Sequence, residues 1–171
     1  MRIVAGEFRG RRLAAPGTTA TRPTTDRVRD AVFNALSSLD VVVGATVADL
    51  YAGSGALGIE ALSRGAAHCT FVEKDRAALS AIHDNIATLG LSGRTRVVSG
   101  DALVMSKRLA VDIAFADPPY GFEQWPALLA NMQAPFVVAE SSSEFDVPGG
   151  WRAVRVKRYG RTWVTFLQRD S

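Results

Sequence analysis

Cysteine and histidine are nearly absent from this 171-residue chain, which has a single cysteine, Cys69, and two histidines, His68 and His83. One cysteine excludes an intramolecular disulfide, and so few thiols and imidazoles leave no credible zinc cluster, so no metal site is expected. Cys69 lies inside an apolar stretch and reads as packing, not as a nucleophile; both histidines lack partners and read as structural or solvated. No apolar run approaches the roughly 18 residues of a membrane span. The N-terminus also lacks a continuous hydrophobic signal segment, which points to the cytoplasm and to no membrane partner. Internal repeats and low-complexity tracts are missing too. With 47% hydrophobic residues, the length suits one domain with a sizeable core.

Charge is present but unevenly placed. Residues 1–29 hold seven arginines against Glu7 and Asp26, a net +5, and residues 151–171 hold six basic residues against Asp170, again +5. The middle, residues 30–150, is net −7, which returns the overall +3. Two basic ends around an acidic body suit a catalytic unit flanked by polyanion-binding surfaces. The plainer reading is that arginines decorate a hairpin and a terminal strand. On charge alone the two readings are even.

Strand and helix patterns alternate along the body. Residues 2–14 alternate around Gly6 and Gly10, the pattern of a small basic hairpin, and residues 16–25 form a threonine-rich loop. Val28, Ala31, Val32, Ala35 and Leu36 share one face of a helix over 26–39, capped by Thr25 or Asp26. Strands follow at 46–50, 69–73, 95–99, 111–116 and 135–140, with helices at 56–64, 75–89, 102–109 and 122–132 between them. A closing hairpin joins 151–157 to 162–168 and turns at Tyr159-Gly160. Such alternation predicts an α/β fold whose mostly parallel seven-stranded sheet carries helices on both faces and binds ligands at the strands' carboxyl ends. Residues 1–20 are expected to be a hairpin appendage on one domain of residues 21–171.

Two motifs carry chemistry. Asp117-Pro118-Pro119-Tyr120 ends the apolar strand 111–116. Two prolines supply no N–H and bias the residue before each toward an extended backbone. The Asp117 carboxylate and Pro118 carbonyl then act as acceptors above the flat ring of Tyr120. That arrangement suits a planar base with an exocyclic amine, which donates both hydrogens while its ring stacks. Upstream, Gly53-Ser54-Gly55-Ala56-Leu57-Gly58 joins a strand to a helix, with Gly53 and Gly55 allowing close backbone approach and Gly58 tight helix–strand packing. Glu73 ends the next strand 18 positions after Gly55, where a carboxylate grips ribose hydroxyls. Taken alone, this second motif does not separate a nicotinamide cofactor from S-adenosylmethionine. Only the pair of motifs does, because a dehydrogenase has no evident use for Asp-Pro-Pro-Tyr, whereas transfer of a methyl group to an amine does.

On these motifs the chain resembles the class I, Rossmann-like, S-adenosylmethionine-dependent methyltransferases that act on exocyclic amines. Its opening, residues 2–13, followed by Arg22-Pro23-Thr24-Thr25-Asp26-Arg27-Val28-Arg29, resembles one branch nearly end to end: the bacterial 16S ribosomal RNA guanine-N2 methyltransferases, which modify the guanine conventionally numbered 966. The resemblance implies S-adenosylmethionine as cofactor, with Asp49, Gly53 and Gly55 around its methionine end. It places Glu73 on the ribose and Asp101 beside the adenine, although Asp101 also fits a helix cap. Asp117, Pro118 and Tyr120 would serve catalysis, and the small ribosomal subunit or its RNA would be the partner of a monomer. For RNA contact, Arg9, Arg11 and Arg12 are the better phosphate candidates, whereas Arg22, Thr24, Thr25 and Arg27 would line the cofactor mouth or clamp a phosphate. Otherwise Thr25-Asp26 simply starts the helix, and Arg29 with Asp26 or Asp30 forms a solvated face. Phe122 and Trp125 frame the pocket or pack the core. A DNA adenine-N6 methyltransferase and a catalytically silent RNA-binding module are the alternatives; the first lacks room for a target-reading domain, and the intact motifs oppose the second.

Overall fold

Short apolar runs bounded by glycine and separated by amphipathic helices can bury both faces only as a parallel sheet between helical layers. The computed structural model, which describes residues 1–17 and 25–171, has that architecture. Strands β1 (Thr46–Leu50), β2 (His68–Glu73), β3 (Thr95–Ser99), β4 (Ile113–Ala116) and β5 (Phe136–Ser141) run parallel. Strands β6 (Trp151–Tyr159) and β7 (Thr162–Arg169) form the closing hairpin, with β7 antiparallel to both β5 and β6. The order is β3-β2-β1-β4-β5-β7-β6. Chain direction across the sheet therefore reverses between β1 and β4, which opens a crevice at their carboxyl ends.

Helices α1 (Asp26–Ser38), α2 (Ala56–Ser63), α3 (Arg76–Leu89), α4 (Ala102–Met105) and α5 (Trp125–Asn131) cover the faces. One apolar cluster joins Val32, Phe33, Ile59, Phe71 and Phe115; the other joins Leu50, Val72, Leu128, Leu129 and Val137. Successive strand residues such as Val47 and Ala48 fall into opposite clusters, as the period of two requires. Thr25 is the cap of α1, its hydroxyl accepting from Val28 N at 3.2 Å. The fifth helix starts at Trp125, not 122, because Pro126 is tolerated only in a first turn. Strand β4 starts at Ile113, since the Asp112 carboxylate is spent on the Thr46 N–H and hydroxyl at 2.8 and 2.9 Å. The final turn is Gly160-Arg161, one residue later than the sequence pattern indicates, with Tyr159 facing Thr162.

The N-terminal segment closes through a single antiparallel bridge between Arg2 and Arg12. It is sewn onto the body: Ile3 and Leu13 are buried, and the Val4 and Ala5 N–H groups each donate to a Glu60 carboxylate oxygen at 3.0 Å. Glu60 is itself buried and also accepts from Arg29 at 3.3 Å and Arg64 at 2.9 Å. Arg29, expected on a solvated face, is 0% exposed; it keeps its pair with Asp26 at 2.9 Å and also donates to the Arg2 carbonyl. Burial is possible because its charge is met by Glu60 and Asp26, and its other donors by the Arg2 carbonyl and the Met1 sulfur at 3.5 Å. Removing one partner from such a buried pair typically costs about 3–5 kcal/mol.

Candidate active site

The turn after β1 is built around two carboxylates. Asp49, 1% exposed near the end of β1, accepts the Gly58 N–H at 2.9 Å and so pins the first turn of α2 to the sheet. Burial pushes its carboxyl well above the usual carboxylate range; the Gly58 hydrogen bond opposes this, and the charges of Asp117 and Glu73 add to it. Glu73, ending β2, accepts from Gly53 N at 2.8 Å on one oxygen and from Lys74 N and Asp75 N at 2.8 and 2.9 Å on the other. Gly53 and Gly55 have φ of 58° and 82°, the left-handed region that favours glycine. Their surroundings differ. A side chain at Gly53 would meet open space, whereas one at Gly55 would lie 3.1 Å from the Phe71 ring. At Gly58 a Cβ would sit 2.5 Å from both Cys69 Sγ and Phe71 Cε1, so the helix packs on β2 only because this residue is glycine.

Asp101 caps α4, its carboxylate accepting from Leu103 N at 2.9 Å, with Lys74 Nζ at 3.8 Å. Tyr51, directly after β1, has a φ of 58°, uncommon for a residue with a side chain. Its phenol is pushed up to about 12 by burial and by the Asp101 charge. From Tyr51 an aromatic chain continues edge-on to Phe122 at 5.6 Å and to Trp125 at 5.1 Å, then stacks on Phe145 at 4.4 Å. Phe122 and Trp125 do both things expected of them, since Trp125 is a core residue and both rings line the cleft.

One cleft of about 920 Å³ takes in Asp49, Gly53, Glu73, Asp101, Asp117, Pro118 and Tyr120. Two motifs separated by 58 residues in sequence, Gly53–Gly58 and Asp117–Tyr120, thus share one cavity. Tyr120 is 86% exposed, so its ring is available at the mouth. Gly55 is not on the wall: its N–H bonds to Ala52 O at 2.8 Å, and its role is confined to the turn. Arg9, Arg11, Arg12 and Arg27 are exposed but lie off the cleft. Arg22 and Thr24 fall outside the described residues. The sequence reading missed Met1, Tyr51, Phe145, Glu140 and the hairpin tip Tyr159, Arg161 and Thr162, all of which line the cavity. Only Tyr51, next to the glycine turn, carried a local signal.

The donor set discriminates among cofactors. Among the described lining residues, Asp49, Glu73, Asp75, Asp101, Asp117, Glu123, Glu140, Glu144 and Asp146 face only two basic side chains, Lys74 and Arg161. A pyrophosphate would be repelled here. A cationic sulfonium with ribose hydroxyls to donate fits this lining.

Residues 1–168 match the model of the family described as conserved hypothetical protein 95. The ribosomal RNA small subunit methyltransferase D of Escherichia coli strain K12 is 39% identical over 183 residues, covering 100% of this chain and 91% of that protein. The chain belongs to this family. A solved Escherichia coli structure described as a methyltransferase superposes with a TM-score of 0.86 at 38% identity, covering 100% of this chain and 98% of that one. A methyltransferase solved with S-adenosylhomocysteine, 14% identical with a TM-score of 0.65 over 83% of this chain and 48% of its own, shares the fold. The family's Rossmann-like α/β sheet is the one described above.

Proposed function

We propose that this protein transfers a methyl group from S-adenosylmethionine to the exocyclic N2 of a guanine in 16S ribosomal RNA, guanine 966 in the conventional numbering. It acts as a cytoplasmic monomer on the small subunit or its assembling precursor. The observation that carries this reading is the shared cleft, in which the carboxylates at the carboxyl ends of β1, β2 and β3 meet the Asp117–Tyr120 loop after β4. Kinship with ribosomal RNA methyltransferases supports the RNA substrate.

Roles follow from position. Glu73 retains lone-pair capacity on the oxygen that binds Gly53 and takes a ribose hydroxyl there. Asp49 and the open backbone at Gly53 orient the methionine end, and Asp101 accepts from the adenine amine with its second oxygen. When bound, S-adenosylmethionine supplies an electrophilic methyl carbon whose bond to sulfur breaks with both electrons leaving on sulfur. Guanine N2 is a poor nucleophile because its lone pair is delocalised into the ring. Hydrogen bonds from the amine to the Asp117 carboxylate and Pro118 carbonyl hold both N–H groups, favour a pyramidal nitrogen and aim its lone pair at the methyl. Tyr120 stacks on the base and offsets an unstacking cost of a few kcal/mol. Charge is partly neutralised as the N–C bond forms, so alignment supplies much of the acceleration. The departing amine proton leaves along the hydrogen bond to Asp117.

The test is methyl transfer from labelled S-adenosylmethionine to unmodified small subunits, naked 16S ribosomal RNA and duplex DNA, followed by nucleoside analysis. N2-methylguanosine from subunits or RNA is expected. N6-methyladenine in DNA overturns the substrate while keeping the loop chemistry, and no label in any nucleic acid overturns the enzyme reading.

A further inference from the structure

We propose that the β6–β7 hairpin is the rim that grips the RNA backbone beside the target nucleotide, with Arg155 and Lys157 as phosphate ligands leading to Arg161 at the cleft. This rests on the RNA-methylating reading above and adds the surface that holds the polymer. The cleft creates the need for such a rim. Its lining is rich in carboxylates, so a base can enter only if the phosphates on either side stay outside and are held there.

The hairpin is placed to do this. Strand β6 is the edge of the sheet, and every residue from Arg152 to Arg158 is exposed. The register sets Arg155 opposite Phe166, Lys157 opposite Val164 and Tyr159 opposite Thr162, so Arg155, Lys157 and Tyr159 share one face. Neighbours in that row are about 6.8 Å apart along the strand, a spacing that suits successive phosphates of an extended chain. The row ends where Tyr159, Arg161 and Thr162 form part of the cleft wall. Trp163 pairs with Ser141 at the carboxyl end of β5, which fixes the hairpin tip at the mouth of the site. No ion pair to a described residue engages Arg155, Lys157 or Arg161, so their charge is available to an outside anion. Arg158 is more constrained, donating to Gly160 O at 2.9 Å and lying over the Trp163 ring.

Residues 7–12 of the other basic end are poorly placed for the same task. Glu7 N and Phe8 N bond to Ser63 at 2.8 and 3.0 Å, Glu7 pairs with Arg94 at 3.3 Å, and Arg11 donates to Thr88 O at 3.2 Å. Ser63, Thr88 and Arg94 lie where α2 and α3 end and β2 and β3 are about to begin, at the opposite end of the sheet from the cleft. A competing explanation for cations on β6 is protection of an exposed edge against strand pairing.

The experiment is equilibrium binding of unmodified 16S ribosomal RNA across a salt series, with S-adenosylhomocysteine present, for the wild type and for Arg155→Ala/Lys157→Ala. Each single-strand phosphate contact contributes about 0.7 to the slope of log K against log salt, so the double variant should lower the slope by about 1.4. S-adenosylhomocysteine affinity and the thermal midpoint should not change. Arg155→Lys/Lys157→Arg should restore the slope, and Arg9→Ala/Arg11→Ala/Arg12→Ala should leave it intact. An unchanged slope in the β6 variant, with or without new self-association, overturns the hairpin as the RNA rim, as does a loss confined to the N-terminal variant. A wild type that neither binds nor methylates RNA overturns the underlying reading instead.

Discussion

The turn after β1 and the loop after β4 leave the sheet side by side, from the paired ends Leu50 and Ala116, yet they are built in opposite ways. The first is closed on itself. Asp49 holds Gly58, Glu73 holds Gly53, Lys74 and Asp75, and Gly55 is tied to Ala52. The second has two consecutive prolines, which remove two N–H donors, and ends in a tyrosine that is 86% exposed. A site that receives a small cofactor in one geometry gains from a wall fixed before binding. A site that must admit a base drawn out of a polymer gains from a stiff backbone with an open aromatic face. Under the proposed assignment of the two motifs, folding completes the cofactor half, whereas the substrate half is completed by its ligand.

The largest effect expected from this contrast is Asp117→Ala, which should lower methyl transfer by at least about 10²-fold through loss of amine alignment. Single-turnover transfer to small subunits measures it; a loss below tenfold would remove Asp117 from the reacting geometry. Gly58→Ala strikes the closed half and should act on folding, at about 1–3 kcal/mol, since the new methyl meets Cys69 and Phe71 at 2.5 Å. Urea unfolding checks it, with Tyr120→Ala as the open-half control, whose stability should stay within about 0.5 kcal/mol of wild type. That same Tyr120→Ala should weaken RNA binding by the stacking energy of one base, about 1–3 kcal/mol, without moving cofactor affinity. A fall in cofactor affinity would mean that the two halves are not separable at the mouth.

The smallest effect is on pH dependence. The Asp49 carboxyl is raised, so its contribution to stability is present below the ordinary carboxylate range and is lost as pH rises through its folded value. A sulfonium beside it favours the ionised form. Affinity for S-adenosylmethionine relative to neutral S-adenosylhomocysteine should therefore climb with pH through the Asp49 titration, and Asp49→Asn should flatten it. A flat ratio in the wild type would place the sulfonium elsewhere.

Local pattern made much of this legible in advance. The strands at 46–50 and 95–99 and the helix stop at Gly65 follow from apolar runs and glycine placement. The glycine motif correctly marks a left-handed turn, but it does not tell which side of each glycine meets the ligand. Only the Phe71 ring, packed 3.1 Å from where a Gly55 side chain would begin, separates Gly55 from Gly53. The acids Asp26 and Asp30 beside Arg29 in sequence suggest a solvated face. The decisive partner, Glu60, lies 31 residues away. Non-local contacts also explain the two basic ends. They carry equal net charge in sequence, but the contacts of Glu7 and Phe8 with Ser63 hold Arg9, Arg11 and Arg12 off the cleft, whereas the β5–β7 register carries the β6–β7 tip to it.

The most direct test of the two-half design is calorimetric titration of S-adenosylhomocysteine into Asp117→Ala and Glu73→Gln side by side. Asp117→Ala should bind it within about threefold of wild type. Glu73→Gln should bind it about tenfold or more weakly, as loss of a charged hydrogen-bond acceptor implies. Equal losses in both variants, or a loss only in Asp117→Ala, would contradict the division of the cleft into a cofactor half after β1 and a substrate half after β4.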